Sequence, residues 1–325
     1  MKIVTKAEGT LKAWPNFNSE NDCEKLRKAM KGLGTDEKSI IDVLGYRTNI
    51  QRMHIVKQFK AMFGKDLAKE LTSELSGKFL TCCEALCLPP DVFDASQIKK
   101  AVKGLGTDED VLIEILCTRT NKQIEAMKIA YKQLFKSELE KDIRGDTSGH
   151  FRKLLISQLQ ANRDENLTYD LTSVQDDVTE LLRAGQDKWG TDESVFNKIM
   201  CQRSQAHLRA LFREYSKKSN KNKTVQDAIS SEFSGDVKNA LLAIVNVIEN
   251  KVGYFADLLH KSMKGLGTND DQLIRVVVSR CECDMVQIKK EFERKFNQPL
   301  QQWLKDDTSG DYRKILLALI GEPIK

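Results

Sequence analysis

The sequence predicts an all-α protein made of four repeats, each of about five short helices. Three observations carry that expectation. A glycine-hinged turn recurs as MKGLGTDE at Met30–Glu37, VKGLGTDE at Val102–Glu109, MKGLGTND at Met263–Asp270, and in the worn form DKWGTDE at Asp187–Glu193. The turn threonines, Thr35, Thr107, Thr191 and Thr268, lie 72, 84 and 77 residues apart, a period suited to a repeated supersecondary unit. Apolar residues then stand at +5, +8 and +9 from each threonine: Ile40, Val43 and Leu44; Leu112, Ile115 and Leu116; Phe196, Ile199 and Met200; Leu273, Val276 and Val277. That spacing marks one face of a helix, and no comparable strand series appears.

Along each repeat the helices follow in order. Segments such as EKLRKAM and QIKKAV precede the turn as helix formers, so the turn joins two helices. The threonine is placed to cap the second, with Asp36/Glu37, Asp108/Glu109 and Asp192/Glu193 adding negative charge at its start. Arginine recurs at +12 as Arg47, Arg119, Arg203 and Arg280, in positions suited to a structural ion pair or a carbonyl contact near the helix end. Farther on, MHIVKQFKAMF, IEAMKIAYKQLF, HLRALFREY and MVQIKKEFERKF carry the apolar spacing of another helix. CLPPDV, around Pro89 and Pro90, parts the first two repeats, and QANRDENLTYDLT, from Gln160 to Thr172, parts the second and third. SKKSNKNKT, Ser216 to Thr224, reads as a polar surface loop holding the extra length of the third repeat. The expected organisation is a short tail over 1–16 and repeats over 17–90, 91–162, 163–250 and 251–325.

The 325 residues are 40% apolar, enough for substantial cores, and 52 Lys and Arg against 47 Asp and Glu leave a formal charge of +5. That mild excess is compatible with phosphates or anionic membranes and identifies neither. The start of the sequence has no apolar core of signal-peptide length, and runs such as ALLAIV are too short to cross a bilayer, so a cytoplasmic or peripheral protein is expected. The eight cysteines are scattered without a disulfide framework, and Cys281 with Cys283 lacks the second pair that a soft metal would want. The four histidines share no metal or nucleophile spacing, so no enzyme is expected; without an aromatic nucleic-acid module, neither is a nucleic-acid partner.

A glycine-rich turn first suggests phosphate binding, but GLGT follows a helix rather than a strand and lacks both the third glycine of a dinucleotide fingerprint and the GK[ST] of a P-loop. Glycines can instead let backbone carbonyls converge on a hard cation, which then wants a carboxylate among its ligands. Each repeat supplies one: Glu74 in ELSG, Asp146 in DTSG, Glu232 in EFSG and Asp307 in DTSG, lying 39, 39, 41 and 39 residues after its threonine.

A KGxGT turn followed about forty residues later by Asp or Glu, four times over, resembles the annexin family from about Phe17 to Lys325. The resemblance implies a slightly curved disc of four five-helix repeats, with calcium turns on the convex face. It implies Ca²⁺ held by the carbonyls of Met30, Gly32 and Gly34 with Glu74; of Val102, Gly104 and Gly106 with Asp146; and of Met263, Gly265 and Gly267 with Asp307. The third repeat departs, with Lys188 in place of the first glycine; Lys188, Gly190 and Glu232 are carried over there, with Gly185 assigned ahead of Gln186.

Three carbonyls and one carboxylate leave a Ca²⁺ shell of roughly six to eight oxygens incomplete, so lipid phosphate can finish it. The expected function is reversible, calcium-dependent binding to anionic phospholipid membranes of phosphatidylserine type, with self-association on them as a further expectation. Leu33, Leu105, Trp189 and Leu266 stand at the turn tips, where a membrane interface would favour them. Arg27, Lys31, Lys103, Lys188 and Lys264 are near enough to meet headgroups. Asp94, Glu114, Arg119 and Arg275 match charged positions lining the central passage of the family fold, where inter-repeat salt bridges are expected more than ion passage. The alternatives are a helical-repeat scaffold for proteins and a calcium-permeable channel. RGD at Arg144–Asp146 overlaps an expected calcium ligand and is discounted as an adhesion signal.

Overall fold

The apolar spacing read from the sequence becomes a buried helix face in every repeat. The structure, a computed structural model, describes residues 7–32, 34–104, 106–185 and 192–324. Among these residues every regular element is a helix, and there is no strand. The first repeat comprises α1 (Ser19–Ala29), α2 (Glu37–Leu44), α3 (Asn49–Phe63), α4 (Leu67–Glu74) and α5 (Gly77–Leu86). The second runs through α6 (Pro90–Ala101), α7 (Glu109–Thr118), α8 (Asn121–Phe135), α9 (Leu139–Asp146) and α10 (Gly149–Leu159). The third has α11 (Leu171–Gly185), α12 (Glu193–Gln202), α13 (Gln205–Lys218), a 3₁₀ turn at Asn220–Asn222, and α14 (Val225–Glu232).

The long α15 (Gly235–Met263) is broken at Asn250, whose φ of −151° and ψ of 81° are not helical. The Asn250 side chain accepts from the Gly253 N–H at 2.9 Å, as an N-cap does. One half thus completes the third repeat and the other opens the fourth, which continues through α16 (Asp270–Arg280), α17 (Met285–Phe296), α18 (Leu300–Asp307) and α19 (Gly310–Leu319). All twelve residues at +5, +8 and +9 are at most 1% exposed. Burying each contributes roughly 1.5–3 kcal/mol, which makes this face the main holding force of the second helix of each repeat.

Two compact units result: Met1–Phe93 with Phe255–Lys325, and Asp94–Tyr254. In the first, α5 packs on α16 and α19, and α19 on α2. In the second, α10 packs on α7, α9 and α12, while α11 packs on α12 and α13.

Three expectations need correction. The turn threonines that are described do not cap the second helix; Asp36, Asp108, Asp192 and Asn269 do, accepting from the N–H of Ser39, Val111, Ser194 and Gln272. The short acidic or amide side chain one residue later reaches those donors directly, which frees the threonine hydroxyl for another partner. Ser216–Thr224 is only partly loop, because Ser216, Lys217 and Lys218 end α13 and the 3₁₀ turn follows, held by a 2.6 Å bond from the Ser219 hydroxyl to the Lys223 carbonyl. The third concerns Arg119 and Asp94, which pair within the second repeat rather than between repeats.

That pair belongs to a series. Arg47 donates through Nε and Nη2 to Asp22 at 2.7 and 2.8 Å, Arg119 to Asp94 at 2.7 and 2.7 Å, and Arg203 to Asp177 at 2.7 and 2.8 Å. In each case a fork from the end of the repeat's second helix grips the first helix, a geometry suited to the planar guanidinium. The third repeat adds His207, whose Nε2 lies 2.7 Å from Asp177. In the fourth repeat Phe255 occupies the aspartate's register; Arg280 stacks over its ring at 4.5 Å and takes Asp284 as its carboxylate instead. Glu114 and Arg275 are both buried.

Residues 8–14 of the tail are docked rather than trailing. The Glu8 carbonyl accepts from Val286 N–H, Leu11 N–H donates to the Cys281 carbonyl, and Thr10 Oγ1 donates to the Leu319 carbonyl at 2.6 Å. Trp14 covers Arg47, with the guanidinium 4.4 Å from its ring centroid. Gly9 permits the approach, since a Cβ there would stand 2.4 Å from the Glu282 carbonyl carbon.

Asp94→Ala should lower the stability of the Asp94–Tyr254 unit by about 3–5 kcal/mol, because Arg119 stays buried without that carboxylate; urea unfolding reads this as a lower midpoint. Gly9→Ala should speed hydrogen exchange at the Leu11 and Val286 amides while leaving exchange in α7 unchanged.

Candidate functional site

In the first, second and fourth repeats a glycine turn and the end of the fourth helix come together at one rim. In the first repeat Met30 caps the carboxyl end of α1, and its N–H still bonds the Leu26 carbonyl. The Asp36 N–H then reaches back to the Ala29 carbonyl at 3.0 Å and closes the turn. Asp108 closes on Ala101 at 3.0 Å and Asn269 on Ser262 at 2.7 Å, each again seven residues back. Inside the three turns the glycine φ values are nearly the same: 114° and 82° for Gly32 and Gly34, 115° and 88° for Gly104 and Gly106, and 112° and 86° for Gly265 and Gly267. A side chain at φ near 114° is strained, and a Cβ at any of the six would meet nothing within 4 Å. These glycines serve backbone conformation, not packing, and they leave the turn open to an incoming group.

The acids are placed alike. Glu74, Asp146, Glu232 and Asp307 are the last residues of α4, α9, α14 and α18. Each is followed by an extended residue, a serine cap, and a glycine at φ between 57° and 60° that starts the next helix. This sharp corner holds the acid at the rim. Thr35 Oγ1 donates to Glu74 Oε2 at 3.1 Å, Thr107 Oγ1 to Asp146 Oδ2 at 3.0 Å, and Thr268 Oγ1 to Asp307 Oδ2 at 2.5 Å. The threonines of the second and fourth repeats also lie 2.9 and 3.2 Å from the backbone oxygen of the same acid. Turn and carboxylate, 39 residues apart, therefore meet in three repeats.

In the third repeat Lys188, Trp189 and Gly190 lie outside the described residues, but the ends of the turn are visible. Asp192 closes on Ala184 at 3.1 Å, eight residues back, so this turn is one residue longer. Counted from the closing carbonyl, Gly185 takes the place of Met30, Val102 and Met263; counted from Asp192, Gln186 does. Gly185 lies beside the acid, since a Cβ on it would stand 3.8 Å from Glu232 Cγ.

Behind the rim a strut ties the first helix to the fourth. Arg27 donates to Glu70 at 2.8 Å and Lys99 to Asp142 at 2.9 Å, both acids one turn before the rim carboxylate. Burial works to raise the Asp142 carboxyl, but hydrogen bonds from Lys99, Tyr131 and Ser137 prevail and hold it at about 2. The fourth repeat has His260 and Trp303 in those registers, 4.8 Å apart by ring centroids, with His260 also stacked on Phe296 at 3.8 Å. Burial, helped by Lys264, pushes the His260 imidazole below its ordinary value, so the neutral ring is favoured in this aromatic strut.

The strut and the threonine contact were missed in the sequence; the acid four residues before Glu74 and Asp146, matched to a cation three before Met30 and Val102, is the signal that could have found the strut. Arg27, expected near headgroups, is drawn into it. Lys31, Lys103 and Lys264 are exposed, and the Leu266 side chain is fully exposed. Leu33 and Leu105 lie outside the described residues. Arg144 pairs with Glu140 one turn away and Asp146 accepts from Thr107, so both charged residues of the RGD tripeptide have partners within the repeat. Cys281 is buried, its thiol pushed up to about 12 by burial, whereas Cys283 is exposed.

The family description Annexin matches the chain four times, over residues 21–86, 93–157, 176–244 and 254–319. Annexin A11 of Homo sapiens is 49% identical over 315 residues, 97% of this chain but 62% of that protein, so the chain spans less than two thirds of its length. Annexin A13 of Mus musculus is 48% identical over 304 residues, covering 94% of this chain and 95% of the relative. A solved structure of annexin III superposes with a TM-score of 0.95 at 43% identity, covering 99% of each chain. Four matches to the family along nearly the whole chain, with a fold shared with a solved annexin, place the chain in the annexin family.

Proposed function

We propose that the protein binds anionic phospholipid membranes reversibly when calcium is present, through turns that carry an incomplete calcium site. The observation that carries this reading is the contact between turn threonine and distant carboxylate, which gathers hard oxygen donors at the rim. The residues fit a hard cation: backbone oxygens at open, positive-φ glycines beside a single carboxylate, with no soft ligand in the set.

In this reading the carbonyls of Met30, Gly32 and Gly34 and the Glu74 carboxylate hold one ion, and those of Val102, Gly104 and Gly106 with Asp146 another. The carbonyls of Met263, Gly265 and Gly267 with Asp307 hold a third. The third repeat supplies Gly185, Lys188 and Gly190 with Glu232. Bound Ca²⁺ supplies positive charge that one carboxylate only half neutralises, and open coordination positions for phosphate oxygen. The protein's own part is to fix the carboxylate at the turn, keep Cβ atoms out of the approach, and present Lys31, Lys103 and Lys264 to acidic headgroups. Leu266, with Leu33, Leu105 and Trp189 at the corresponding tips, enters the interface. Several weak feet on one membrane act through effective concentration, so attachment is steep in calcium although each site is feeble.

Cosedimentation with phosphatidylserine-containing vesicles over a calcium titration tests the reading. The chain should pellet with calcium and return to the supernatant with chelator. Replacing Glu74, Asp146, Glu232 and Asp307 together by Ala should abolish pelleting, and each single replacement should raise the half-saturating calcium several-fold. Undiminished pelleting of the quadruple variant would defeat the mechanism. Leu266→Ser removes an apolar tip without touching a donor; it should weaken vesicle binding at saturating calcium by roughly three- to tenfold, measured by vesicle titration.

A further inference from the structure

We infer that the Asp94–Tyr254 unit carries a second binding site, a cavity suited to a small organic carboxylate with an apolar body. The cavity measures about 320 Å³, at the lower end of the usual ~300–1,000 Å³ range for small-molecule sites. It lies at the carboxyl end of α7, and the calcium turn lies at the amino end of that ten-residue helix, about 15 Å away along its axis. The two sites do not share a residue.

Its walls are of two kinds. Ile124, Ile244, Val247 and Ile248 form an apolar floor, each at most 6% exposed. Arg163 and Arg209 line it as well, and the acceptors that hold them are backbone carbonyls. Arg163 donates through Nη1 and Nη2 to the carbonyls of Arg203 and Met200 at 2.9 and 2.8 Å, and Arg209 donates through Nε to the Ile248 carbonyl at 2.8 Å. All three acceptors are neutral oxygens, which orient a guanidinium without cancelling its charge. Burial pushes the Arg163 guanidinium below its ordinary value, the mark of a cation held away from water without a matching carboxylate. By contrast Arg119, at the same cavity, is gripped on two nitrogens by Asp94. The lining carboxylates, Asp164 and Glu165, belong to exposed residues of the connecting segment, where water screens them, and Asp164 Oδ1 accepts from the Asn166 N–H. The nearby Gln158 is 6% exposed, and its Nε2 has no protein partner.

A carboxylate would satisfy the arginines with charge-assisted hydrogen bonds while its hydrocarbon part covers the isoleucine floor, which neither a bare inorganic anion nor a neutral hydrocarbon does. Leu167, 92% exposed at the mouth, would gain cover from the same occupant.

Titration calorimetry of the full chain in chelator, which silences any calcium turns, tests this with 2-naphthoate and its neutral counterpart 2-naphthamide. Saturable binding of 2-naphthoate is expected, at least tenfold tighter than the amide. Arg209→Met, at an exposed residue, should weaken it about tenfold, and Ala206→Phe, which fills space in the cavity, should abolish it. Circular dichroism establishes that both variants are folded, and calcium-dependent vesicle pelleting of Ala206→Phe should match the unaltered chain. No saturable binding at millimolar 2-naphthoate, equal binding of the amide, or unchanged binding in both variants would overturn the assignment.

Discussion

A hydroxyl in the glycine turn donates to a carboxylate 39 residues farther along, and the rim of the repeat is organised around that contact. Bringing one acid to an open turn requires two corners to be sharp at once. Paired positive-φ glycines make the first, and a serine-capped glycine at φ near 60° makes the second. Both corners then need a fixed separation, which comes from the first helix bracing the fourth. The brace is ionic where Arg27 meets Glu70 and Lys99 meets Asp142, and aromatic where His260 meets Trp303. Different chemistry thus meets one geometric requirement.

The rim also depends on what lies beneath it. The second helix of each repeat is fixed by a buried apolar face and by an arginine fork at its far end. A buried ion pair contributes little net stability against a well-packed apolar pair, but losing one partner is costly, so it specifies register more than it adds strength. The fourth repeat supports that distinction: its fork survives the change from aspartate to Phe255 by taking Asp284, the residue that precedes α17. The requirement is a neutralised arginine, not a particular aspartate.

Much of this was legible because it is periodic. The apolar positions at +5, +8 and +9 predict buried helix faces, and the chain places all twelve in the core. Matched spacing between turn and acid points to a meeting that no single copy would justify. What failed to read through was local competition between neighbours. Thr35 and Asp36 are both good caps, and only the fold reveals that the aspartate takes the helix N–H while the threonine turns to the distant acid. Likewise Arg119 could pair within or between repeats on sequence alone; the 25-residue register of Asp94 decides it. The tail gave no signal of docking, since its anchors are mainly backbone groups, and backbone hydrogen bonds carry no residue code.

If each turn is an unfinished calcium site completed by lipid, calcium and anionic lipid must strengthen one another's binding. Calcium binding to the intact chain, followed by calorimetry first in buffer and then with phosphatidylserine vesicles present, tests it most directly, because linkage requires lipid to tighten calcium as much as calcium tightens lipid. Weak binding in buffer is expected, with a gain of at least tenfold on adding anionic vesicles and none on adding neutral ones. Calcium affinity that is the same with and without anionic vesicles would contradict it.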